Sequence, residues 1–165
     1  MLVNRRNLPR RARGFTLIEL VTVMTLIAIL AGLALPTFRE FVANQRVRNV
    51  SFDVMAALVL TRSEAVTRSR NVSLVKTTAG TSWDKGWQVV DATDMTRPIQ
   101  DQEAVKNLTI TDSAALDGIT YGKDGRTVTT STKLTISPSS PVSGVSSRCV
   151  TIGLSGMPSS SVGAC

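Results

Sequence analysis

One long apolar stretch constrains this chain more than any other feature. It runs from Phe15 to Leu35, reads FTLIELVTVMTLIAILAGLAL and contains a single charged residue, Glu19. As an α-helix it would extend about 31 Å, close to the roughly 30 Å of hydrocarbon in a bilayer. The stretch therefore predicts a membrane-spanning helix, which leaves only the residues outside it to build a water-soluble core.

The charge distribution predicts how that helix is oriented. The chain has 19 Lys and Arg against 12 Asp and Glu, and five of those arginines lie in residues 1–14, which contain no acid. By the positive-inside rule this end stays in the cytoplasm. The remaining chain is predicted to lie on the other, oxidising side of the membrane, where cysteines pair. Without residues 1–14 the balance is 14 basic to 12 acidic residues, so a nucleic-acid-binding surface is not indicated.

Composition and motifs argue against catalysis. The chain has no histidine and only two cysteines, which excludes His-dependent catalysis, His metal sites and a zinc site made of cysteines alone. It also lacks a nucleophile-elbow motif and a phosphate-binding glycine loop. Asp91, Asp94 and Asp101 lack the spacing of a calcium-binding loop and are predicted to be solvated loop acids. We expect no enzyme activity, no cofactor and no metal.

Three interpretations of the N-terminal region compete. A secretory signal peptide would be cleaved after Gly32-Leu33-Ala34, but Glu19 would then lie inside its apolar region, and the helix-forming sequence continues beyond the cleavage site. A plain transmembrane anchor leaves Glu19 unexplained, since an intramembrane acid usually has a partner and a function. The third interpretation rests on a motif.

Arg13 to Glu19, RGFTLIE, followed by the apolar stretch, resembles the class III signal of type IV pilins and pseudopilins. The resemblance implies that a prepilin peptidase cuts after Gly14 and that the new terminal residue, Phe15, is N-methylated. It implies that Glu19 pairs with the terminal amine of a neighbouring subunit, as a buried acid requires. Pro36 matches the position of a helix-kinking proline in pilins.

Beyond the membrane the sequence predicts a continued helix and then strands. Val47, Val50, Val54, Leu58 and Ala65 recur at helical spacing, with Thr61 on the same face, so the helix is predicted to reach about Arg68 and to pack on a sheet. The predicted strands are Val72–Val75, Gly86–Val90, Leu108–Thr111, Gly118–Tyr121, Thr127–Thr130, Lys133–Ile136 and Arg148–Ile152. Asp117-Gly118 and Asp124-Gly125 are hairpin-type turn signals, and residues 137–147 read as a loop.

Two further stretches narrow the resemblance. The chain resembles the GspH/FimT group of minor pilins and pseudopilins at two places. They are Thr61 to Val66, which reads TRSEAV, and Trp83 to Trp87, which reads WDKGW. The predicted fold is therefore α+β and pilin-like: a long N-terminal helix whose first half spans the membrane and whose second half packs on an antiparallel β-sheet domain. The predicted segments are a removed leader (1–14), a membrane and assembly helix (15–35), its amphipathic continuation (36–70) and a periplasmic β-domain (71–165).

The C-terminal region carries the remaining candidate sites. Cys149 and Cys165, on the oxidising side, are predicted to form a disulfide rather than to stay as free thiols. Some FimT-like pilins bind DNA through a Gly-Arg-x-Arg stretch before the terminal cysteine, but the matching residues here, 156–159, are Gly-Met-Pro-Ser. Arg126 and Arg148 could replace those arginines only if the fold brings them together.

These features predict a minor type IV pilin that helps to prime pilus assembly or forms part of the tip. The alternative is a GspH-like minor pseudopilin of a type II secretion system, and a DNA-binding pilin is a third hypothesis. The expected partners are other pilins or pseudopilins, the prepilin peptidase and the inner membrane. The expected location is a single pass through that membrane, with the C-terminal domain in the periplasm, followed by incorporation into a pilus or pseudopilus.

Overall fold

A computed structural model describes residues 14–78 and 81–165, so the predicted leader lies outside the described residues except for Gly14. The first element of the described residues is one helix, α1 (Leu17–Arg68), of 52 residues. The strands that follow are β1 (Val72–Lys76), β2 (Trp87–Asp91), β3 (Gln100–Gln102), β4 (Leu108–Asp112), β5 (Gly118–Tyr121), β6 (Thr132–Pro138), β7 (Arg148–Ile152) and β8 (Pro158–Val162), with a short 3₁₀ helix at Trp83–Lys85. The described chain divides into two units, residues 14–38 and residues 39–165.

In the second unit, α1 presents a buried stripe to the sheets. Its members share helical spacing and a relative exposure of 8% or less: Val47, Val50, Val54, Ala57, Leu58 and Ala65. Thr61 lies fully buried on the same stripe, and its hydroxyl donates to the Ala57 carbonyl at 2.6 Å, so the polar group has a partner inside the helix. The predicted core-facing stripe is therefore confirmed.

The strands form two antiparallel sheets rather than one. The order is β3-β2-β1-β5 in the first sheet and β4-β6-β7-β8 in the second. Apolar side chains of both sheets, such as Leu74 and Ile119 from the first and Ile136 and Val150 from the second, join the helix stripe in one hydrophobic core. The α+β fold, with a long helix packed on antiparallel sheet structure, is thus confirmed.

The WDKGW stretch places two tryptophans in the core and brings the backbone of Gly86 close to that of Gln102. Trp83 and Trp87 are 2% and 1% exposed and belong to the hydrophobic core. Gly86 between them has φ +109°, and a Cβ built there would lie 2.5 Å from the Gln102 carbonyl oxygen. Only glycine adopts this conformation and leaves room for β3 to pair with β2.

Two of the strand and turn predictions are wrong. Thr127–Thr130 is not a strand, because only Thr127 forms a bridge, with Tyr121, and the Val128 side chain then points into solvent with 64% exposure. Asp117-Gly118 is not a hairpin turn, since the strands on either side, β4 and β5, belong to different sheets. Gly118 instead begins β5 at a close contact, where a Cβ would lie 2.9 Å from Val75 Cγ1.

Two short edge strands, β3 and β8, were not predicted from the sequence. Their sequences, Gln-Asp-Gln and Pro-Ser-Ser-Ser-Val, contain little of the β-branched and aromatic alternation that identifies a strand. They are held by pairing with β2 and β7. Tertiary pairing therefore overrides a weak local preference at both edges.

Candidate functional site

The first unit is an apolar helix without a core of its own. Every large apolar side chain between residues 15 and 35 is exposed, from Phe15 at 86% to Val23 at 49%. These side chains surround the helix instead of forming one stripe. A helix that is apolar on all sides requires lipid or other helices around it, and the segment is long and apolar enough to cross a membrane.

Two threonine hydroxyls of this segment are satisfied within the helix. The Thr22 hydroxyl donates to the Ile18 carbonyl at 2.7 Å, and the Thr25 hydroxyl donates to the Val21 carbonyl at 2.8 Å. In hydrocarbon an unpaired hydroxyl would be costly, because no water is present to bond it. These local bonds make two threonines compatible with an apolar surrounding.

Glu19 lies in the first turn of α1, next to a helix cap. Thr16 precedes the helix, its Oγ1 accepts a hydrogen bond from the Glu19 backbone N–H at 3.3 Å, and its carbonyl accepts one from Leu20 N–H at 3.2 Å. A Thr followed three residues later by Glu is the sequence signature of a capping box, so Thr16 could have been identified from the sequence. The cap starts the helix two residues after Phe15, and the acid sits at the end that carries the positive helix dipole.

Gly14 and Phe15 lie immediately before this cap, outside the helix, and are exposed. Among the described residues, no atom lies within 4 Å of a Cβ added at Gly14. None of these residues therefore covers the peptide bond between Gly14 and Phe15. The backbone of α1 is helical through residue 36, and the kink at Pro36 remains a prediction.

The C-terminal segment is covalently attached to the second sheet. Cys149 in β7 and Cys165 form a disulfide with a Cα–Cα distance of 5.0 Å. The Cys165 backbone N–H also donates to Thr135 Oγ1 at 3.3 Å, and β8 between the cysteines pairs with β7. The predicted disulfide is present and closes the β7–β8 hairpin.

The structure does not bring Arg126 and Arg148 together. Arg126 follows Gly125, whose carbonyl accepts a hydrogen bond from Arg62 Nε at 2.9 Å. Arg148 lines a cavity with Arg48. Arg48 and Arg62 are 14 helical positions apart, which corresponds to about 21 Å along the helix axis. The condition for a substitute DNA-binding pair is therefore not met.

One acid that was expected to be a solvated loop residue is instead buried and paired with two exposed arginines. Asp91 is 6% exposed and accepts hydrogen bonds from the Thr93 backbone N–H at 2.9 Å and from its hydroxyl at 2.7 Å. Its other oxygen lies 3.6 Å from Arg68 and 3.7 Å from Arg70. The Thr93 bonds first, and the two arginines second, hold the pKa of Asp91 below its usual value.

This network ties the last turn of α1 to the end of β2. Arg68 also pairs with Glu64 at 2.6 Å, and that bond, ahead of Asp91, raises the pKa of the Arg68 guanidinium. The turn at Asp91 could have been predicted from the Asp-x-Thr spacing of Asp91 and Thr93, which is typical of an Asx turn after a strand.

Among the described residues, no group of three or more Asp, Glu or Cys side chains is placed to hold a metal ion.

Family comparisons match two parts of the chain. Residues 53–156 match the model of type II transport protein GspH, and residues 9–35 match that of the prokaryotic N-terminal methylation motif. A fimbrial protein of Pseudomonas aeruginosa is 32% identical over 75 residues, covering 46% of this chain and 48% of that protein. The type IV major alpha-pilin of Moraxella bovis is 41% identical over 44 residues, 27% of this chain and 28% of that protein. The chain thus spans about half or less of these curated relatives.

Solved structures match most of the fold. The type IV minor pilin FimU of Pseudomonas aeruginosa aligns with a TM-score of 0.62 and 21% identity, over 72% of this chain and 90% of that one. The minor pseudopilin EpsH of the Vibrio cholerae type 2 secretion system aligns with a TM-score of 0.55 and 12% identity, over 72% and 97%. At these identities the likeness establishes a shared fold.

Proposed function

We propose that this chain, which belongs to the GspH family of type II transport proteins, is a minor pilin of a type IV pilus. It is anchored in the inner membrane by residues 15–35 and then moves into the fibre, where it helps to prime assembly or forms part of the tip. The observation that carries this proposal is the exposed apolar helix, with an acid in its first turn, which continues into a folded β-domain. A surface of this kind needs lipid before assembly and other helices after it.

Processing creates the charge that Glu19 needs. Cleavage after Gly14 leaves Phe15 with a free α-amino group, next to the Thr16 cap. In an apolar bundle the carboxylate of Glu19 is stabilised by pairing with such an amine on an adjacent subunit, since an unpaired charge there is costly. The same cleavage removes five arginines and leaves 14 basic and 12 acidic residues. The near-neutral product is suited to packing among similar subunits.

The processing step is tested by mass spectrometry of the mature protein from the producing bacterium. We expect an N-terminus at Phe15 that carries one methyl group. A Gly14→Val variant is expected to keep its leader, because its branched side chain would obstruct the peptide bond. An N-terminus at Leu35 would instead establish a secretory signal peptide and overturn the proposal.

The role of Glu19 is tested by comparing two variants of the same helix. Glu19→Gln keeps the size of the side chain and removes its charge, and we expect its amount in sheared pili to fall by about tenfold, the equivalent of roughly 1.4 kcal/mol. Thr22→Val is the control, since the Thr22 hydroxyl bonds only its own helix, at 2.7 Å. Normal incorporation of Glu19→Gln would exclude the ion pair.

A minor pseudopilin of a type II secretion system is the second candidate, and the match to the GspH model favours it. The pilus is preferred because a fimbrial protein and a type IV major alpha-pilin are among the relatives that match parts of the chain, and because FimU aligns with the higher TM-score. Deleting the gene distinguishes the two: loss of twitching with normal exoprotein secretion supports the pilus, and the reverse result supports the secretion system. DNA binding is not proposed, because Arg126 and Arg148 lie apart.

A further inference from the structure

A cavity of about 360 Å³ lies between α1 and the second sheet, within the second unit. The helix contributes Asn44, Gln45 and Arg48 to its walls, and the sheet side contributes Ser146 and Arg148. These side chains offer two guanidinium groups, two amides and a hydroxyl. The described lining contains no carboxylate, so hydrogen-bond donors and positive charge dominate.

The two arginines have no acidic partner in the described residues. Arg48 is exposed and forms no hydrogen bond or ion pair there, while Arg148 donates only from Nε, to Ser160 Oγ at 3.4 Å. The nearby acid on the helix, Glu40, lies against Gly144 and does not line the cavity. Two like charges facing one cavity repel each other, and an incoming anion would relieve that repulsion.

Apolar side chains flank these charges. Phe41 and Val162 line the same cavity and are 60% and 70% exposed. A free inorganic anion would neutralise the arginines and leave both apolar groups in water. A protein segment would cover both, and exposed aromatic residues combined with unpaired arginines are typical of protein interfaces. Arg also binds a carboxylate through two parallel hydrogen bonds, which makes it selective for that group.

We infer that this cavity is a docking site for a carboxylate side chain of a neighbouring pilin subunit, bound between Arg48 and Arg148 with an adjacent apolar residue against Phe41 and Val162. The inference rests on the proposed function, since it requires that the chain enters a filament. It adds a contact between the β-domains to the contacts made by the apolar helices. It also gives Arg148 a role that does not involve nucleic acid.

The test places a photoreactive residue at the cavity. Ser146 is exposed and lines the wall, so p-benzoylphenylalanine is incorporated there in the full chain, in the producing bacterium, and irradiated pili are sheared and digested. We expect a crosslink to a pilin subunit, mapped within a few residues of an Asp or Glu. Arg48→Gln combined with Arg148→Gln is expected to reduce the crosslink by about tenfold or more, as loss of about 1.4 kcal/mol or more would do.

Two controls make the result specific. Arg46→Gln removes an exposed arginine of the same helix that does not line the cavity, and the crosslink should persist. Arg48→Glu should abolish the crosslink, and replacing the mapped partner carboxylate by arginine should restore it. Unchanged thermal midpoints of the purified variants exclude a folding defect.

The outcomes separate the two proposals. If the unmodified chain is absent from pili, the proposed function fails and the docking site fails with it. If the chain is present in pili but Ser146 gives no pilin crosslink, or crosslinks only to lipid or DNA, the docking site alone is overturned. A pilin crosslink that survives Arg48→Gln with Arg148→Gln would overturn the electrostatic basis of the site.

Discussion

Apolar side chains are exposed in residues 15–35, whereas many are buried in a core in residues 39–165. In the first region, leucines such as Leu26, at 60% exposure, face outward on all sides of the helix. In the second, Leu58 on the same helix is fully buried among both sheets. The C-terminal region therefore folds on its own apolar contacts, whereas the N-terminal region depends on lipid or on other subunits for its burial.

Threonine hydroxyls form the same hydrogen bond in both regions. Thr22 in the first and Thr61 in the second both donate their hydroxyls to the carbonyl four residues earlier, at 2.7 and 2.6 Å. This bond needs no tertiary partner, so it serves equally in a membrane and in a protein core. The comparison shows that burial, and not helix formation, distinguishes the two halves of α1.

The largest expected difference comes from the same substitution in each region. Leu58→Ala should lower the free energy of unfolding of the β-domain by about 2–5 kcal/mol, because it removes a fully buried side chain and leaves a cavity. Leu26→Ala, its matched control, should leave that free energy unchanged. Denaturant unfolding of the full chain in detergent micelles measures both. Equal effects would show that the two regions unfold as one unit.

Removing the disulfide tests how the C-terminal segment is held. Cys149→Ser combined with Cys165→Ser should cost about 3 kcal/mol, since the bond closes a loop of about 16 residues in the unfolded chain. The expected readout is a lower denaturation midpoint for the β-domain, with unchanged helix content in residues 15–35. A reduced wild-type sample should behave like the double variant. If it does not, the substitutions themselves disturb the fold.

Asp91 should make the β-domain, and not the apolar helix, sensitive to acid. Its folded-state pKa is lowered from 3.8 by Thr93, Arg70 and Arg68. Its contribution is therefore fully present above that value and is lost as the pH falls through the lower folded-state pKa. Asp91→Asn should lower the thermal midpoint at neutral pH and flatten its decline below pH 3.8. Asp94→Asn, in the exposed loop beside it, is the control.

The smallest expected effect is the loss of β-domain stability at alkaline pH that the ionisation of Tyr121 causes. Burial raises the pKa of Tyr121 from 10.0 to about 12, and its hydroxyl has no hydrogen-bond partner among the described residues. The unfolded chain releases this proton first, so stability should fall between pH 10.0 and about 12. Tyr121→Phe should remove part of that fall and change the neutral-pH thermal midpoint little. If Tyr121→Phe leaves the fall in stability at alkaline pH unchanged, Tyr121 is not its cause.

Sequence reasoning predicted the helix better than the sheets. The stripe from Val47 to Ala65 repeats over five turns, so each member strengthens the prediction of the same face. Thr127–Thr130 has strand-forming residues but only one pairing partner, and β8 is rich in serine but pairs along its length with β7. Strand identity depends on which segment lies alongside, and that information is distant in the sequence.

The candidate sites divide in the same way. Gly14, Phe15 and Glu19 were predicted from a local motif, and the adjoining Thr16 cap follows from four consecutive residues. The cavity of Arg48 and Arg148 and the Asp91 network were not predicted, because their members are separated by up to 121 positions. The sequence shows which residues are charged, but whether a charged residue has an ion-pair partner depends on the tertiary contacts.

The apolar helix, the processing motif and the buried stripe could be predicted from the amino-acid sequence alone, because each depends on spacing within one helix or one short motif. The division of the strands into two sheets, the pairing of Asp91 with Arg68 and Arg70, and the cavity shared by Arg48 and Arg148 became known only from the tertiary contacts. These depend on contacts between distant segments, where the free energy of burial and pairing outweighs local preference.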